Sequence, residues 1–411
     1  MKVLLSNIQE LLQVWEHAPK KLQGAEMKSL PTLKNAWLVC NEGVIETYGT
    51  MGQPPSGDFD QVIDCTGSVV LPSWCDSHTH LVYAGNREQE FVDRIHGLTY
   101  QKIAEKGGGI LNSAKKLQET SEVELYQQAA GRLEEIMAMG TGAVEIKSGY
   151  GLTTEAELKM LRVAKKLGEN YPVAIKTTFL GAHAIPASYK NNRQGYLELI
   201  VHEMLPKIAE EQLADYIDIF CEEGYFSVAD TDFLLSEGAK YQLTPKIHVN
   251  QFTSLGGVAA GVKHNALSVD HLEIMEETDI KALQGSETMP VALPACSFFL
   301  SIPYTPGRQI IDAGLPLALA TDYNPGSSPT GNMNFVVAAA CIKMKLTPEE
   351  AIHAATINAA YAMGLSKTHG SITKGKVANL IITKPIPSYG YLPYAFGSNH
   401  IKQVILNGKP L

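Results

Sequence analysis

Between residues 71 and 365 the sequence alternates short apolar runs with amphipathic stretches, and eight of the runs carry strand character. They are Leu71 to Asp76, Ala143 to Lys147, Val173 to Leu180, Tyr216 to Cys221, Lys246 to Val249, Ala266 to Asp270, Met289 to Leu293 and Leu317 to Thr321. Eight strands alternating with helices is what a (β/α)8 barrel requires, whereas a doubly wound sheet more often shows five to seven. The intervening helices have readable ends. Ser121-x-x-Glu124 is a capping box opening a helix with Leu125, Ala129, Leu133, Ile136 and Met137 on one face and Gly140 at its close. Thr154-x-x-Glu157 caps another, with Leu158 and Leu161 inward and Gly168 as its stop.

The two ends of the chain have a different texture. Residues 1 to 70 read as short strands and turns: Ala36 to Cys40, a turn at Asn41 to Gly43, Val44 to Tyr48, a Gly/Pro-rich stretch from Gly49 to Gly57, and Gln61 to Cys65. The same pattern returns in Gly375 to Thr383 and Ile401 to Gly408. The expected α/β architecture is therefore a TIM-like barrel over 71–365 and one small discontinuous β-domain built from 1–70 and 366–411.

Composition narrows the class of partner. With 45% hydrophobic and 19% charged residues in 411, the chain can bury a large core. A net charge of -9 and a sequence pI near 5.8, with no basic cluster beyond pairs such as Lys115-Lys116 and Lys165-Lys166, argue against nucleic acid. Met1 to Leu5 is followed at once by Asn7, Gln9 and Glu10, which gives no signal-peptide core, and no later apolar run is long enough to span a bilayer; a cytoplasmic protein with no membrane contact is expected. The six cysteines contain no Cys-x-x-Cys and fit buried, reduced thiols. The sequence leaves a homodimer open.

In barrels of this kind the active site lies at the carboxyl ends of the strands. The first strand runs into His78-Thr-His80, the third into His183, the fifth into His248 with Gln251 close behind, the sixth into Asp270-His271 and the eighth into Asp322. Five of the twelve histidines thus fall at strand ends. Singly, each has a bland alternative as a hydrogen-bonded core or helix-end residue; jointly they point to a metal, since neutral imidazoles suit zinc, iron or nickel and a carboxylate carried to the barrel mouth needs a cation.

The His-x-His after strand one, the single histidines after strands five and six and the aspartate after strand eight resemble the amidohydrolase superfamily, which implies a (β/α)8 barrel beside a small β-sandwich, and one or two metals that hydrolyse amide or imine bonds. More specifically, Glu145-Ile-Lys-Ser-Gly-Tyr-Gly-Leu152, Thr178-Phe-Leu-Gly-Ala-His183, Val269-Asp-His-Leu-Glu273 and Thr321-Asp-Tyr-Asn-Pro-Gly-Ser327 are similar to the imidazolonepropionase family. That similarity covers essentially the whole chain. It implies hydrolysis of the cyclic amide of 4-imidazolone-5-propanoate to N-formimidoyl-L-glutamate in histidine degradation. It further implies His78, His80, His248 and Asp322 as ligands of one Zn(2+) or Fe ion per chain, leaving a place for water. Arg87, Tyr150, His183, Gln251 and Ser327 are implied for the small-molecule substrate, and Tyr150, Asn324 and Gly326 for the opened product.

Two departures qualify the match. Two-metal relatives carry a carboxylated lysine after strand four, but here that strand runs into Cys221-Glu-Glu-Gly224; Lys147 ends strand two and is expected to pair with a neighbouring acid. Superfamily relatives with one metal often have a proton-shuttling glutamate three residues after the strand-five histidine, where this chain has Gln251, which cannot titrate. The expected catalytic residues are therefore His271 and Asp322, with Gln251 hydrogen-bonding the substrate. Gly107 to Gly109 is expected as a mobile loop over the mouth, and no Gly-Lys-[Ser/Thr] follows it to make a phosphate loop. The alternative enzyme reading is a cytosine-deaminase-like or hydantoinase-like amidohydrolase, against which Arg87 argues because a neutral base would leave its guanidinium unpaired. A noncatalytic scaffold on the same fold would show lost ligands, and all four are present.

Overall fold

In a computed structural model that describes residues 1–98, 102 and 108–411, eight parallel strands stand side by side in chain order. They are Trp74–Thr79, Thr141–Lys147, Ala174–Ala182, Tyr216–Cys221, Thr244–Val249, Ser268–His271, Met289–Ala292 and Ala318–Leu319. The ring closes through the segment after the eighth strand. Thr79 and Tyr323 form a parallel bridge, Asp322 N donates to His78 O at 3.0 Å, and His80 N donates to Tyr323 O at 2.9 Å. Closure thus places His78, His80 and Asp322 side by side.

The first barrel strand begins later than its apolar run suggests. Val69–Pro72 belongs to a separate mixed sheet, pairing antiparallel with Leu380–Thr383, and the chain passes between sheets at Ser73. Both segments are buried throughout, so hydrophobicity reads them as one, and Pro72, which has no N–H to continue a ladder, marks the break. That second sheet combines Lys2–Leu12, Thr32–Asn41, Val44–Thr50, Gln61–Asp64 and Val69–Pro72 with Leu380–Thr383, Ile401–Leu406 and Lys409–Pro410 from the other end. Val3, Leu5, Ile8, Leu38, Leu380, Ile382 and Ile405 share its core. The strand Lys2–Leu12 was not anticipated. A bulge between Leu5 and Ile8 interrupts its alternation.

Helix ends follow side-chain chemistry. Ser121 accepts from Glu124 N at 3.2 Å and opens Glu122–Ala138, and the chain turns at Gly140 with φ +97°. For the next helix, Thr154–Asn170, the cap is Thr153 rather than Thr154, and the helix runs two residues past Gly168. The reason is that Glu157 faces away from the cap. Its buried carboxylate accepts from Gly149 N, Gly151 N and Leu152 N at 2.7–2.9 Å and so fixes the loop that follows the second strand. Among the described residues no helix is long and apolar enough to cross a membrane. The six cysteines are free, five of them buried. Gly107 lies outside the described residues, and with it the expected Gly107–Gly109 loop as a unit.

Candidate active site

At the carboxyl end of the barrel the chain repeatedly leaves its strands through positive φ angles at non-glycine residues: Leu152 at 55°, Asn250 at 57°, His271 at 90°, Leu272 at 64° and Asp322 at 56°. Such conformations cost on the order of 1–3 kcal/mol each and persist where the surroundings over-determine them. Of these, His271 and Asp322 face the barrel mouth, while Asn250 donates to Asp279 and Leu152 and Leu272 pack among apolar neighbours.

Three imidazoles share one arrangement, each with Nδ1 backed by an acceptor. His78 Nδ1 lies 2.7 Å from Asp270 Oδ2, His248 Nδ1 3.0 Å from Asp218 Oδ2, and His80 Nδ1 3.4 Å from Ser148 O. For His78 and His80 the Nδ1 hydrogen bond leaves Nε2 to face inward as a lone pair, whereas His248 Nδ1 lies close to its carboxylate without hydrogen-bond geometry. His80 Nε2 and His248 Nε2 are 3.4 Å apart, and Asp322 Oδ1 is 3.5 Å from His78 Nε2 and 3.6 Å from His80 Nε2. His78 Nε2 is buried and has no hydrogen-bond partner among the described residues. Burial, then the Lys147 charge, holds His78 neutral well below the ordinary histidine range, and burial with the neighbouring His183 does the same for His80. Acceptors from three strand ends are turned on one another, and three imidazole nitrogens with one carboxylate form a donor set whose chemistry fits a transition metal.

Other groups surround this point. His183 stacks on His80 with ring centroids 5.0 Å apart, and its Nδ1 lies 3.1 Å from Gly149 O; burial depresses it to about 3, so it is neutral. His271 behaves oppositely. Burial pushes it down, but Glu273, 3.4 Å away, with Asp322 and Asp270, outweighs that and raises it to about 9. Burial raises Asp322, against which the nearby His271 and His248 work. Gln251 donates to Cys296 Sγ at 3.5 Å.

A cavity of about 530 Å³ opens above, walled by Arg87, Arg94, Tyr150, His183, Phe220, Tyr225, Gln251, Asn324, Gly326 and Ser327. Six of these also line the small space of about 40 Å³ beside His80, His248, His271 and Asp322. The expected substrate groups thus all line one cavity. Arg87 pairs with Glu90, and this pair is largely buried in the cavity wall. Arg87 Nε and Nη2 donate to Glu90 Oε2 at 2.8 and 2.5 Å, with both side chains only 13–14% exposed, while Glu90 Oε1 accepts from Gly109 N. Gly326 is small for a reason, since a Cβ there would overlap the Arg87 guanidinium. Asn324 is engaged within its own loop: Oδ1 accepts from Gly326 N and Ser327 N at 2.8 Å, and Nδ2 donates to Asp322 O and Ser327 Oγ.

Sequence reasoning gave no role to Asp218, Lys246, Asp270, Arg94, Cys296 or Phe220. A signal existed for three of them. Asp218 and Lys246 are charges within apolar strands, and Asp270 precedes a candidate ligand; all three are buried inside the barrel. Lys147 pairs with acids as expected, but with three of them: Glu145 and Asp218 at 2.7 and 2.8 Å and Asp270 at 3.5 Å.

Comparison with known proteins agrees with this architecture. A profile of the amidohydrolase family matches residues 239–411. Imidazolonepropionases from Flavobacterium johnsoniae and Christiangramia forsetii are 68% and 66% identical over 409 residues, covering 100% of each chain. The one from Bacillus velezensis is 40% identical over 99% of this chain and 96% of its own. Among solved structures, an adenosine deaminase from Xanthomonas campestris with bound zinc superposes with a TM-score of 0.72 at 15% identity, covering 99% of this chain and 92% of that one. An atrazine chlorohydrolase from Arthrobacter aurescens complexed with zinc gives 0.71 at 14%, covering 100% and 95%. These two share the fold. The full-length likeness to the first group, carried by a barrel whose strand ends converge on a metal-ready cluster, means that the chain belongs to the imidazolonepropionase family, the hydrolases of histidine degradation.

Proposed function

We propose that His78, His80, His248 and Asp322 hold one zinc or iron ion per chain, and that the cavity above them opens the ring of 4-imidazolone-5-propanoate to N-formimidoyl-L-glutamate. The observation that carries this reading is a chain of close inward approaches: His80 Nε2 lies 3.4 Å from His248 Nε2, and Asp322 Oδ1 lies 3.5 Å from His78 Nε2 and 3.6 Å from His80 Nε2. When bound there, a divalent ion supplies Lewis acidity and lowers the pKa of a water from 15.7 toward about 7.

The remaining roles fall to side chains. Asp322 accepts the proton of the water that attacks the ring carbonyl carbon. His271, protonated at neutral pH because its neighbours hold it at about 9, donates to the carbonyl oxygen as that oxygen gains charge. The bond from the carbonyl carbon to the ring nitrogen then breaks. The departing nitrogen takes the proton from Asp322, and the carbonyl carbon becomes the new carboxylic acid, which releases its remaining proton to solvent. Gln251 cannot titrate and holds the ring by hydrogen bonds, with Tyr150, His183 and Ser327 around it. Arg87 pairs with the propanoate, and Asn324 and Gly326, with Tyr150, accommodate the opened product.

Every residue in this scheme comes from one chain and from 71–365, the proposed catalytic domain; 1–70 and 366–411 form the proposed small β-sandwich domain. Six free cysteines fit a reducing compartment, and the cytoplasm is the proposed location. Mixing metal-loaded protein with freshly generated imidazolone propanoate should make the substrate's ultraviolet absorbance disappear with formation of N-formimidoyl-L-glutamate. Persistence of the absorbance would refute the assignment.

A further inference from the structure

Lys147 ends the second barrel strand with its ammonium wholly buried, donating to Glu145 Oε1 at 2.7 Å and Asp218 Oδ2 at 2.8 Å and lying 3.5 Å from Asp270 Oδ2. Glu145 has a second cation of its own, because Lys246 Nζ donates to its other oxygen and to Ser77 O and Ala362 O. The two aspartates have no such alternative among the described residues. The atoms that Lys147 faces on them are also the atoms that face imidazoles: Asp270 Oδ2 lies 2.7 Å from His78 Nδ1, and Asp218 Oδ2 lies 3.0 Å from His248 Nδ1.

Each aspartate is hinged at its other oxygen. Asp270 Oδ1 accepts from Ser268 Oγ at 2.5 Å, and Asp218 Oδ1 accepts from Ile219 N at 2.7 Å and His248 N at 3.1 Å. With Oδ1 held, the direction of Oδ2 is what remains to be set. Two buried carboxylates would swing apart by mutual repulsion, and one ammonium between them draws both Oδ2 atoms inward.

We propose that Lys147 is a positioning residue for the metal site: through Asp218 and Asp270 it sets the orientation of the His248 and His78 rings, so that both Nε2 lone pairs aim at one point. This rests on the reading of His78 and His248 as ligands. Groups that orient ligating histidines are typically worth about 10- to 100-fold in metal affinity.

The test uses the full chain, stripped of metal and titrated with cobalt(II) as the probe, reading affinity by chelator competition and geometry by the visible ligand-field bands. Lys147→Met should bind cobalt(II) about 10-fold or more weakly, with shifted bands, while still unfolding cooperatively. A folded Lys147→Met protein with wild-type affinity and bands overturns the proposal. His78→Ala separates the two readings: if it binds cobalt(II) like wild type, the ligand assignment fails, whereas its loss of binding beside an unaffected Lys147→Met condemns Lys147 alone. If Lys147→Met does not fold, Asp218→Asn and Asp270→Asn carry the test. Each should weaken cobalt(II) binding about 10-fold and shift the bands, and wild-type behaviour in both refutes the mechanism.

Discussion

Replacing Arg87 by methionine removes the partner proposed for the propanoate group and also strips Glu90 of its cation. Both side chains are largely buried in the cavity wall, so neither effect is diluted by full solvent screening. Charge-assisted hydrogen bonds are worth roughly 1.5–3 kcal/mol, or about 10- to 150-fold in kcat/KM. The guanidinium already serves Glu90 in the resting protein, so binding the substrate exchanges or shares carboxylates, and the net gain lies near the lower figure. Losing Arg87 does more, because Glu90 then faces the incoming propanoate without its guanidinium partner, held by Gly109 N and the nearby Arg94 charge alone among the described residues. Two carboxylates about 5–7 Å apart at an effective dielectric near 20 repel by roughly 2–3 kcal/mol. Arg87→Met should therefore lower kcat/KM on the propanoate substrate by about 100-fold or more. Arg87→Lys, keeping charge without the fork, should lose about 10-fold, and Arg87→Met with Glu90→Gln should recover part of the deficit. On an imidazolone lacking the acid, all three should stay within a few-fold of wild type. Steady-state kinetics on both substrates decides the matter: equal losses on the two would mean that Arg87 does not recognise the carboxylate.

Turnover should fall as pH rises through about 9, where His271 loses its proton, and His271→Ala should lower kcat severely with metal still bound; a pH–kcat profile and metal analysis of the variant check both. Gln251→Glu introduces a titratable group beside the reacting atoms, so it should keep substantial activity but change the pH profile, and an unchanged profile would place residue 251 away from the chemistry. His353 and His369 are held at about 4, chiefly by burial. The unfolded chain binds these protons near pH 6.5 and the folded chain does not. Stability should therefore fall as pH drops from about 6.5 toward 4, by at most about 1.4 kcal/mol per pH unit for each histidine. Urea denaturation at pH 7 and pH 5 should show the loss, and His353→Gln together with His369→Gln should reduce it.

Much of the barrel was legible because parallel strands buried on both faces leave continuous apolar runs, and their ends could be searched for ligand chemistry. His78, His80, His248 and Asp322 stood out because histidine and aspartate are conspicuous directly after such runs. Positions that depend on neighbours remote in sequence were not legible. The sheet switch at Ser73 is invisible to hydrophobicity because Val69–Pro72 and Trp74–Thr79 are equally buried. Glu157 has the spacing of a capping-box residue, but the loop that it holds lies five to eight residues upstream. Arg87 could be placed at the mouth, but its engagement with Glu90 within the wall is a property of the folded loop. Lys147 and Asp218, 71 residues apart in sequence, meet only when the barrel forms.

The most direct measurement is a titration of metal-free protein with zinc(II) or iron(II), following loss of the imidazolone absorbance together with bound metal. Turnover should be absent without metal, rise in proportion to added ion and level off at one ion per chain. A break at two ions per chain, or undiminished turnover after complete metal removal, would contradict the single-metal site built from His78, His80, His248 and Asp322.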